Sequence, residues 1–133
     1  MQPPRSRRCC ERSRGHSLAL VDASNVRRST WPNIAAEELA ALCSTWAGAE
    51  RVHAVLVFDG TAPEAVAGET VELVSTGNES ADDWIARKAA RLRRAGTPFW
   101  LVTSDRELRE RAGEGAARTI GGGTLARTLL GLR

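Results

Sequence analysis

Short runs of consecutive apolar residues constrain the fold more than any other feature of this sequence. A strand with one buried face alternates apolar and polar residues, whereas a strand buried on both faces is apolar throughout. Segments with helical spacing lie between the runs, so strands and helices alternate along the chain. We therefore predict an α/β fold in which helices cover both faces of a parallel sheet. The predicted strands are residues 18–21, 53–59, 70–76 and 97–105, with a shorter fifth strand at 117–120.

The helix predicted after the third strand is the best defined, because its start, its apolar stripe and its end are all visible. Ser80 followed by Asp83 forms a capping box, and Gly96 closes the helix at the usual C-terminal position. Its apolar residues recur at steps of four, four and three, which places them on one face. The other predicted helices are 34–47, ended by Gly48; 106–113, with a capping box of Ser104 and Glu107; and a last one with Thr124 as N-cap.

The composition is that of one ordinary globular domain with a basic leader. The chain has 133 residues, of which 42% are hydrophobic and 26% charged, in the range of a single domain. Its longest apolar runs fall far short of the roughly 20 residues of a membrane-spanning helix, so we expect no membrane partner. Residues 1–15 hold five arginines and one glutamate, a net charge of +4, and the rest of the chain sums to −1. We expect residues 1–16 to be a disordered tail, with a phosphate-contacting arm as the alternative, and residues 17–133 to form the domain.

The cysteines and histidines argue against a zinc site and against a disulfide framework. The chain has an odd number of cysteines, and no two of them form a CxxC motif; they are Cys9, Cys10 and Cys43. His16 and His53 each precede a predicted strand and are interpreted as edge residues. The first 16 residues lack the apolar core of a signal peptide. A reducing compartment, the cytoplasm, is therefore the expected location.

Acidic residues recur at the ends of the predicted strands and at one helix start. The segment ESADDWI, which opens the helix after the third strand, packs three carboxylates into five residues. The ligand crevice of an open parallel sheet lies outside the carboxyl ends of its strands, so all of these acids are expected at one edge. They are Asp22, Asp59 and Asp105 after strands, and Glu79, Asp82 and Asp83 at the helix start.

Two explanations compete for this concentration of acid. Each carboxylate alone is explained as a helix cap or a turn residue, since acids near a helix N-terminus offset its exposed N–H groups. Together they would repel one another, and the single lysine, Lys88, lies inside a helix. Mg²⁺ or Mn²⁺ would supply the missing charge, because these ions favour carboxylate, water and phosphate oxygens. Such ions support phosphodiester cleavage without a catalytic His or Cys, and Asn25 would serve as a neutral ligand or would position phosphate or water.

The segments LVDASN, VFDG, ESADDWI and VTSDRELRERAGEGA resemble, in order and spacing, the successive motifs of the NYN domain, a branch of the PIN-like nucleases. The resemblance covers about residues 17–130. It implies a single-domain, three-layer α/β/α sandwich of PIN-like fold that cleaves RNA as an endoribonuclease with one or two Mg²⁺ or Mn²⁺ ions. Carried over, the motifs imply catalytic roles for Asp22, Asn25, Asp82 and Asp105, metal binding by these three aspartates, and secondary metal candidates in Asp59, Glu79 and Asp83.

Three points of the site stay open from the sequence alone. Asp82 and Asp83 lie about 100° apart on a helix, and we favour Asp82 as the ligand because Asp83 serves the capping box. Ala23 and Ser24 stand where the family often has Gly-Tyr, which puts the substrate preference in doubt. The polar residue Thr103, at the end of the fourth strand, would orient a ligand or cap a helix.

Weaker signals concern contact with RNA. Trp31 would stack a base or plug the sheet edge, and Ser104 would orient a ligand. Arg87 and Arg91 would face phosphate. The alternative for Arg87 is an ion pair with Asp83, which lies one helical turn earlier. The sequence leaves open a homodimer and docking on a ribosome or an RNA-processing partner.

Two other functions compete with the nuclease. A non-catalytic RNA- or partner-binding module is the stronger rival, although a pure binder would gain from losing negative charge near phosphate. A HAD-type phosphatase or a receiver domain also clusters aspartates at strand ends. Both classes depend on a lysine near a late strand, and the phosphatase needs an Asp-x-Asp motif, neither of which the chain has.

Overall fold

The described part of the chain folds into five strands and five helices, most of which alternate. The computed structural model describes residues 17–64 and 68–133, so the predicted basic tail, with Cys9, Cys10 and His16, lies outside the described residues. The strands are β1 (Ser17–Asp22), β2 (Val52–Phe58), β3 (Val71–Ser75), β4 (Phe99–Val102) and β5 (Arg118–Ile120). The helices are α1 (Ala23–Arg28), α2 (Ala36–Glu50), α3 (Ala81–Ala95), α4 (Arg106–Ala112) and α5 (Gly122–Leu130). In the part of the chain that the structure describes, no helix is both long enough and apolar enough to cross a membrane.

The strands form one sheet in the order β3-β2-β1-β4-β5, and every neighbouring pair is parallel. The central strand β1 pairs with β2 on one side, where Leu20 lies opposite Val55. On its other side it pairs with β4, where Val21 lies opposite Val102. The predicted α/β class with a parallel sheet is confirmed. The strand order reverses between β1 and β4, and such a switch point opens a crevice at the carboxyl ends of the two strands.

Apolar side chains fill both faces of the sheet, which makes the domain a three-layer α/β/α sandwich. On one face α1, α2 and α5 pack on the sheet through residues such as Val26, Leu39 and Leu125. On the other face α3 and α4 pack through residues such as Ile85 and Leu108. Successive side chains of a strand point to opposite faces, so each continuous apolar run supplies both cores.

Helix α3 starts and ends where the sequence predicted. The Ser80 hydroxyl oxygen accepts a hydrogen bond from the backbone N–H of Asp83 at 3.0 Å. Gly96 ends the helix with a φ of 71°, a left-handed conformation that glycine adopts without a steric penalty. The predicted stripe of Ala81, Ile85, Ala89 and Leu92 is buried. The start of α3 is therefore fixed against the carboxyl edge of the sheet.

Helix α1 is one that the sequence analysis missed. It follows β1 directly, and Asp22 caps it by accepting a hydrogen bond from the backbone N–H of Asn25 at 3.4 Å. The helix has six residues, of which only Ala23 and Val26 are buried. So short an element shows no periodic pattern. Its effect on the site is to place Asn25 on the first turn after the end of β1.

The predicted end of α2 at Gly48 is wrong. The helix continues through Gly48 to residue 50, and Arg51 ends it with a φ of 61°. A glycine inside a helix costs only about 1 kcal/mol. The buried side chains of Trp46 and Ala47 hold the last turns of α2 against the sheet and offset that cost.

Two predicted helix caps also differ from the structure. Asp105, not Ser104, caps α4, and its side chain accepts a hydrogen bond from the backbone N–H of Leu108. Helix α5 has Gly121 as its N-cap, with no side-chain hydrogen bond there, instead of Thr124. Helix α4 still starts at residue 106, as predicted, whereas α5 starts at residue 122, two residues before Thr124.

Candidate functional site

Carboxylates from three strand ends and one helix converge at the carboxyl edge of the sheet. Asp22 is the last residue of β1, Asp59 directly follows β2, and Asp105 lies three residues beyond β4. Asp82 is the second residue of α3, which begins at the same edge. The charge of Asp82 acts on Asp22, and the charges of Asp59 and Asp105 act on Asp82. The structure thus brings together four of the six acids singled out from the sequence.

Asp22 is a buried carboxylate at the switch point of the sheet. Its side chain accepts hydrogen bonds from the Thr103 hydroxyl at 3.1 Å and from the backbone N–H of Asn25 at 3.4 Å. Burial raises the pKa of Asp22, and the negative charges of Asp82 and Asp59 raise it further, against those two hydrogen bonds. Keeping this group ionised at neutral pH costs free energy that a nearby positive charge would recover.

Thr103 connects two of the acids. It is fully buried at the end of β4. Its hydroxyl donates to Asp22 and accepts a hydrogen bond from the backbone N–H of Asp105 at 3.1 Å. One side chain therefore sets the relative position of the β1 and β4 ends.

Asp59 and Asp105 act as caps from within the acidic group. Asp59 accepts a hydrogen bond from the backbone N–H of Ala81, the first residue of α3, at 2.7 Å, and one from the Ser24 hydroxyl at 3.4 Å. Asp105 accepts from the backbone N–H of Leu108 at 3.0 Å. Such bonds fix the orientation of each carboxylate. Each of these two carboxylates therefore holds a helix start and also belongs to the acidic group.

Asp82 differs from its neighbours because nothing compensates its charge directly. In the described ranges its carboxylate has neither a hydrogen-bond donor nor an ion-pair partner. Burial raises the pKa of Asp82, and the charges of Asp105 and Asp59 raise it further, with Arg111 opposing them from a distance. An uncompensated carboxylate among other carboxylates is a typical position for a cation ligand.

Glu79 and Asp83 are engaged by arginines. The Arg87 guanidinium donates two hydrogen bonds to the Glu79 carboxylate, and Arg111 donates one to Asp83 at 2.8 Å. These hydrogen bonds lower the pKa of both acids. The predicted ion pair between Asp83 and Arg87 is thus wrong in its partners, because Arg87 reaches back to Glu79. Within the part of the chain that the structure describes, Asp82 is the one acid of the ESADDWI segment without such a partner.

Asn25 is held by the loop after β4 and by the start of α5. Its side-chain oxygen accepts a hydrogen bond from the backbone N–H of Ser104 at 2.9 Å. The Ser104 hydroxyl oxygen in turn accepts one from the backbone N–H of Gly122 at 2.8 Å. A Cβ on Gly122 would lie 2.0 Å from the Asn25 side-chain oxygen, so Asn25 keeps this position only while residue 122 is glycine. Neither Gly122 nor its neighbours in the GGG segment was singled out from the sequence, although three successive glycines signal a close approach of backbone.

We expect Gly122→Ala to displace the Asn25 side chain without unfolding the domain. The added methyl group would collide with a movable side-chain oxygen, and the hydrogen bond from Ser104 would be lost. If Asn25 positions substrate, RNA cleavage should fall about 10- to 100-fold, as for partners that orient a site. Steady-state cleavage rates and a thermal melt check this, with Gly48→Ala, where no atom lies within 4 Å of the added methyl group, as the matched control. Unchanged cleavage by a folded Gly122→Ala variant would exclude a role for Asn25.

The residues proposed to contact RNA lie in different environments. Trp31 is 90% exposed, so the alternative that it plugs the sheet edge is wrong. Its loop is held by Arg27, whose side chain donates to the backbone oxygen of Ile34 at 2.7 Å. Arg91 is exposed and has no ion-pair partner in the residues described, whereas Arg87 is occupied by Glu79.

The acidic group has the donor chemistry of a hard-cation site without a closed ligand set. Among residues 17–64 and 68–133, no three His, Cys, Asp or Glu side chains are close enough together to hold a metal ion. The residues still fit Mg²⁺ or Mn²⁺ in donor type and charge, because Mg²⁺ is typically held by one or two carboxylates with water and substrate phosphate completing its shell. The cluster therefore suits a cation shared with substrate better than a permanently bound structural metal.

The family model of the YacP-like NYN domain matches residues 21–129. The chain belongs to this family. Among solved structures, Rae1 (YacP) from Bacillus subtilis matches with a TM-score of 0.67 and 22% identity over 87% of this chain and 75% of that one. A tryptophan-to-leucine mutant of Rae1 matches with a TM-score of 0.63 and 21% identity over 87% of this chain and 76% of that one. No curated protein matches.

These matches confirm the NYN resemblance and the PIN-like fold. Family membership makes this a nuclease-like, RNA-related domain. At 22% identity, the likeness to Rae1 shows a shared fold. The roles of individual residues in this YacP-like chain depend on its own geometry.

Proposed function

We propose that this YacP-like NYN domain is a divalent-metal-dependent endoribonuclease. The observation that carries the proposal is Asp82, a carboxylate that has no direct partner among the described residues, lies beside Asp59 and Asp105, and acts on the buried Asp22. A fold that only needed helix caps would not require a fourth, uncompensated acid at this edge. The raised pKa values of Asp22 and Asp82 indicate that the arrangement costs free energy in the isolated chain.

The proposed roles follow from the contacts of each residue. Asp22, Asp82 and Asp105 would supply the carboxylate ligands of Mg²⁺ or Mn²⁺, one or two of them to each ion, with water and substrate phosphate completing the shell. Asp59 would fix the start of α3 so that Asp82 faces the other acids. When bound, such an ion supplies Lewis-acid stabilisation of phosphate charge and a more acidic bound water. Asn25, oriented by Ser104, would position the phosphate or the attacking water. Glu79 and Asp83 would stay outside the coordination, because their arginines neutralise them.

The alternative is a non-catalytic RNA-binding module. It is favoured by the lack, in the described residues, of three acids already arranged around a metal position. It is disfavoured by the concentration of negative charge at the edge where phosphate would bind, which weakens RNA affinity unless a cation is present.

The deciding experiment measures cleavage of end-labelled single-stranded and structured RNA with Mn²⁺, Mg²⁺ or EDTA. The nuclease predicts cleavage that needs the metal and is lost in Asp105→Asn, in which asparagine still caps α4. Cleavage in EDTA would contradict metal dependence. RNA binding without turnover would establish the binding module, and preferred turnover of a phosphate monoester would establish a phosphatase instead.

Trp31 is proposed to stack an unpaired base of a single-stranded substrate. Trp31→Ala should weaken binding of single-stranded RNA by about 1–3 kcal/mol, the usual contribution of one base stacked on an aromatic ring. The melting temperature should not change, because the ring is exposed. Fluorescence anisotropy with labelled RNA measures the affinity, and Trp31→Phe should restore most of it. Equal affinities of wild type and Trp31→Ala would remove this residue from the RNA surface.

The proposed location is the cytoplasm and the proposed partner is RNA. Cys43 is the one cysteine among the described residues, and it is buried. Burial raises the pKa of its thiol to about 12, so the thiol stays protonated and unreactive at neutral pH. A homodimer and docking on a ribosome or an RNA-processing partner stay predictions.

A further inference from the structure

Arg109 is a cation fixed beside the acidic edge that the sequence analysis did not single out. It lies on α4, and its Nε donates a hydrogen bond to the backbone oxygen of Thr103 at 2.8 Å. Thr103 is the buried residue whose hydroxyl bonds Asp22. Because Nε makes the anchoring bond, the two terminal nitrogens of the guanidinium stay available for a ligand.

Three polar groups converge on a small space above Gly121. The position that a Cβ of residue 121 would occupy lies 3.4 Å from the Ser104 hydroxyl oxygen, 3.5 Å from Arg109 Nη2 and 3.5 Å from the Thr124 hydroxyl oxygen. The space exists because residue 121 is glycine. Ser104 Oγ already accepts from the backbone N–H of Gly122, so its hydrogen is free to be donated. All three groups can therefore donate hydrogen bonds to one acceptor.

Arg109 brings a positive charge to this space. In the described ranges the guanidinium of Arg109 has no ion pair, in contrast to the paired Arg87 and Arg111 nearby. Arg127, which has no ion pair among the described residues, lies further along α5, and its Nη1 is 3.5 Å from the position that a Cβ of residue 123 would occupy. Donors without an acidic partner at a solvent-accessible surface suit an anion, and a guanidinium matches the oxygens of phosphate in particular.

We propose that Arg109, Ser104 and Thr124 form a subsite for an internal phosphodiester of RNA, adjacent to the scissile one. This inference rests on the proposed function and deepens it. Ser104 belongs both to the subsite and, through its backbone N–H, to the support of Asn25, so the two phosphates would lie on neighbouring parts of one edge. A positive subsite on the β4 side of the acids would orient the RNA backbone relative to Asp22 and Asp82.

The test compares two variants that attack the subsite differently. Arg109→Gln removes the positive charge and the paired terminal N–H donors of the guanidinium. Gly121→Ala fills the space with a methyl group. Residue 121 has a φ of −68° and the nearest atoms would be 3.4 Å away, so alanine is tolerated there. The matched controls are Arg51→Gln, an exposed arginine at the opposite edge of the sheet, and Gly48→Ala.

Binding of a fluorescein-labelled single-stranded RNA of about 12 nucleotides, within the usual site size for single strands, is measured by anisotropy in EDTA at several salt concentrations. Each subsite variant should bind the RNA about tenfold more weakly than wild type. Arg109→Gln should also reduce the slope of log affinity against log salt by the amount expected for the loss of about one phosphate contact. A purely structural Arg109 would not change that slope. Affinities and slopes equal to wild type in both variants would overturn the subsite.

The same assay tests whether the subsite binds an internal phosphodiester or a terminal phosphate, and it does so without any RNA cleavage. The RNA is used with a 5′-hydroxyl and with a 5′-phosphate, and an effect of the variants only on the phosphorylated RNA would overturn the internal phosphodiester in favour of a terminal monoester. The comparison needs no turnover, so failure of the nuclease proposal would appear as absent cleavage by wild type. Weaker RNA binding by the two subsite variants would support the subsite even in that case.

Discussion

Asp22→Asn should abolish RNA cleavage and, at the same time, make the protein more stable at neutral pH. The variant keeps the size of the side chain and an oxygen that can cap α1, but it removes the charge at the centre of the acidic edge. Stabilisation of transition-state charge by a bound metal is worth several kcal/mol. Loss of one central ligand should therefore reduce cleavage by at least about 100-fold, since each 1.4 kcal/mol or so is a factor of about ten.

The gain in stability follows from the raised pKa of Asp22. An unfolded chain binds this proton only near the ordinary value of 3.8, whereas the folded protein binds it at a higher pH. Above both values the folded state carries a buried charge that it holds less well than water does, so the charge is destabilising there. The advantage of Asp22→Asn should be full at neutral pH, shrink as the pH falls through the raised folded-state pKa and disappear below the unfolded value.

Chemical denaturation of both proteins between about pH 3 and pH 8 in EDTA measures this difference, and cleavage assays with Mn²⁺ measure the loss of activity. Added Mn²⁺ should raise the melting temperature of wild type and have little effect on Asp22→Asn, because a ligand that binds only the folded state stabilises it. Cleavage by Asp22→Asn near the wild-type rate would contradict the proposed site. A variant less stable than wild type at neutral pH would show that the hydrogen bonds to Asp22 outweigh its burial.

Asp82→Asn and Asp83→Asn should differ sharply although the residues are adjacent. Asp82→Asn should reduce cleavage by at least about 100-fold, because it removes the acid that lies beside Asp59 and Asp105. Asp83→Asn should change cleavage by less than about threefold, because the side chain is exposed and bonded to Arg111, and an exposed ion pair is worth about 0–1 kcal/mol.

The two variants are controls for each other, since each exchanges one aspartate for asparagine in the first turn of α3. Steady-state cleavage with Mn²⁺ and the Mn²⁺ dependence of the melting temperature should both separate them. Equal losses would mean that the helix start as a whole matters and that the ligand assignment has no basis. A greater loss for Asp83→Asn would reverse the assignment.

Much of the fold was predictable because burial on both faces of a sheet leaves a direct trace in the sequence. The apolar runs at β1, β2 and β4 are continuous for that reason, and the stripe of α3 has the spacing of one helix face. The third strand was also found, although its exposed residues weaken the signal. The elements that were missed or misplaced are short or end in loops: α1, the end of α2 and the start of α5. Their bounds depend on packing and on hydrogen bonds to distant residues.

The sequence by itself determined which acids could meet, because strand ends of a parallel sheet share one edge. Only the tertiary structure decided how those acids are used. Arg87 and Arg111 neutralise Glu79 and Asp83 through contacts that span eight and 28 residues, and no local pattern encodes such distances. The same holds for Arg109, whose anchor to the end of β4 and place beside Gly121 arise where α4, α5 and the sheet come together. Charge compensation depends on distances in space. The sequence therefore shows how many carboxylates can meet at this edge, but it does not show which of them are paired with arginines.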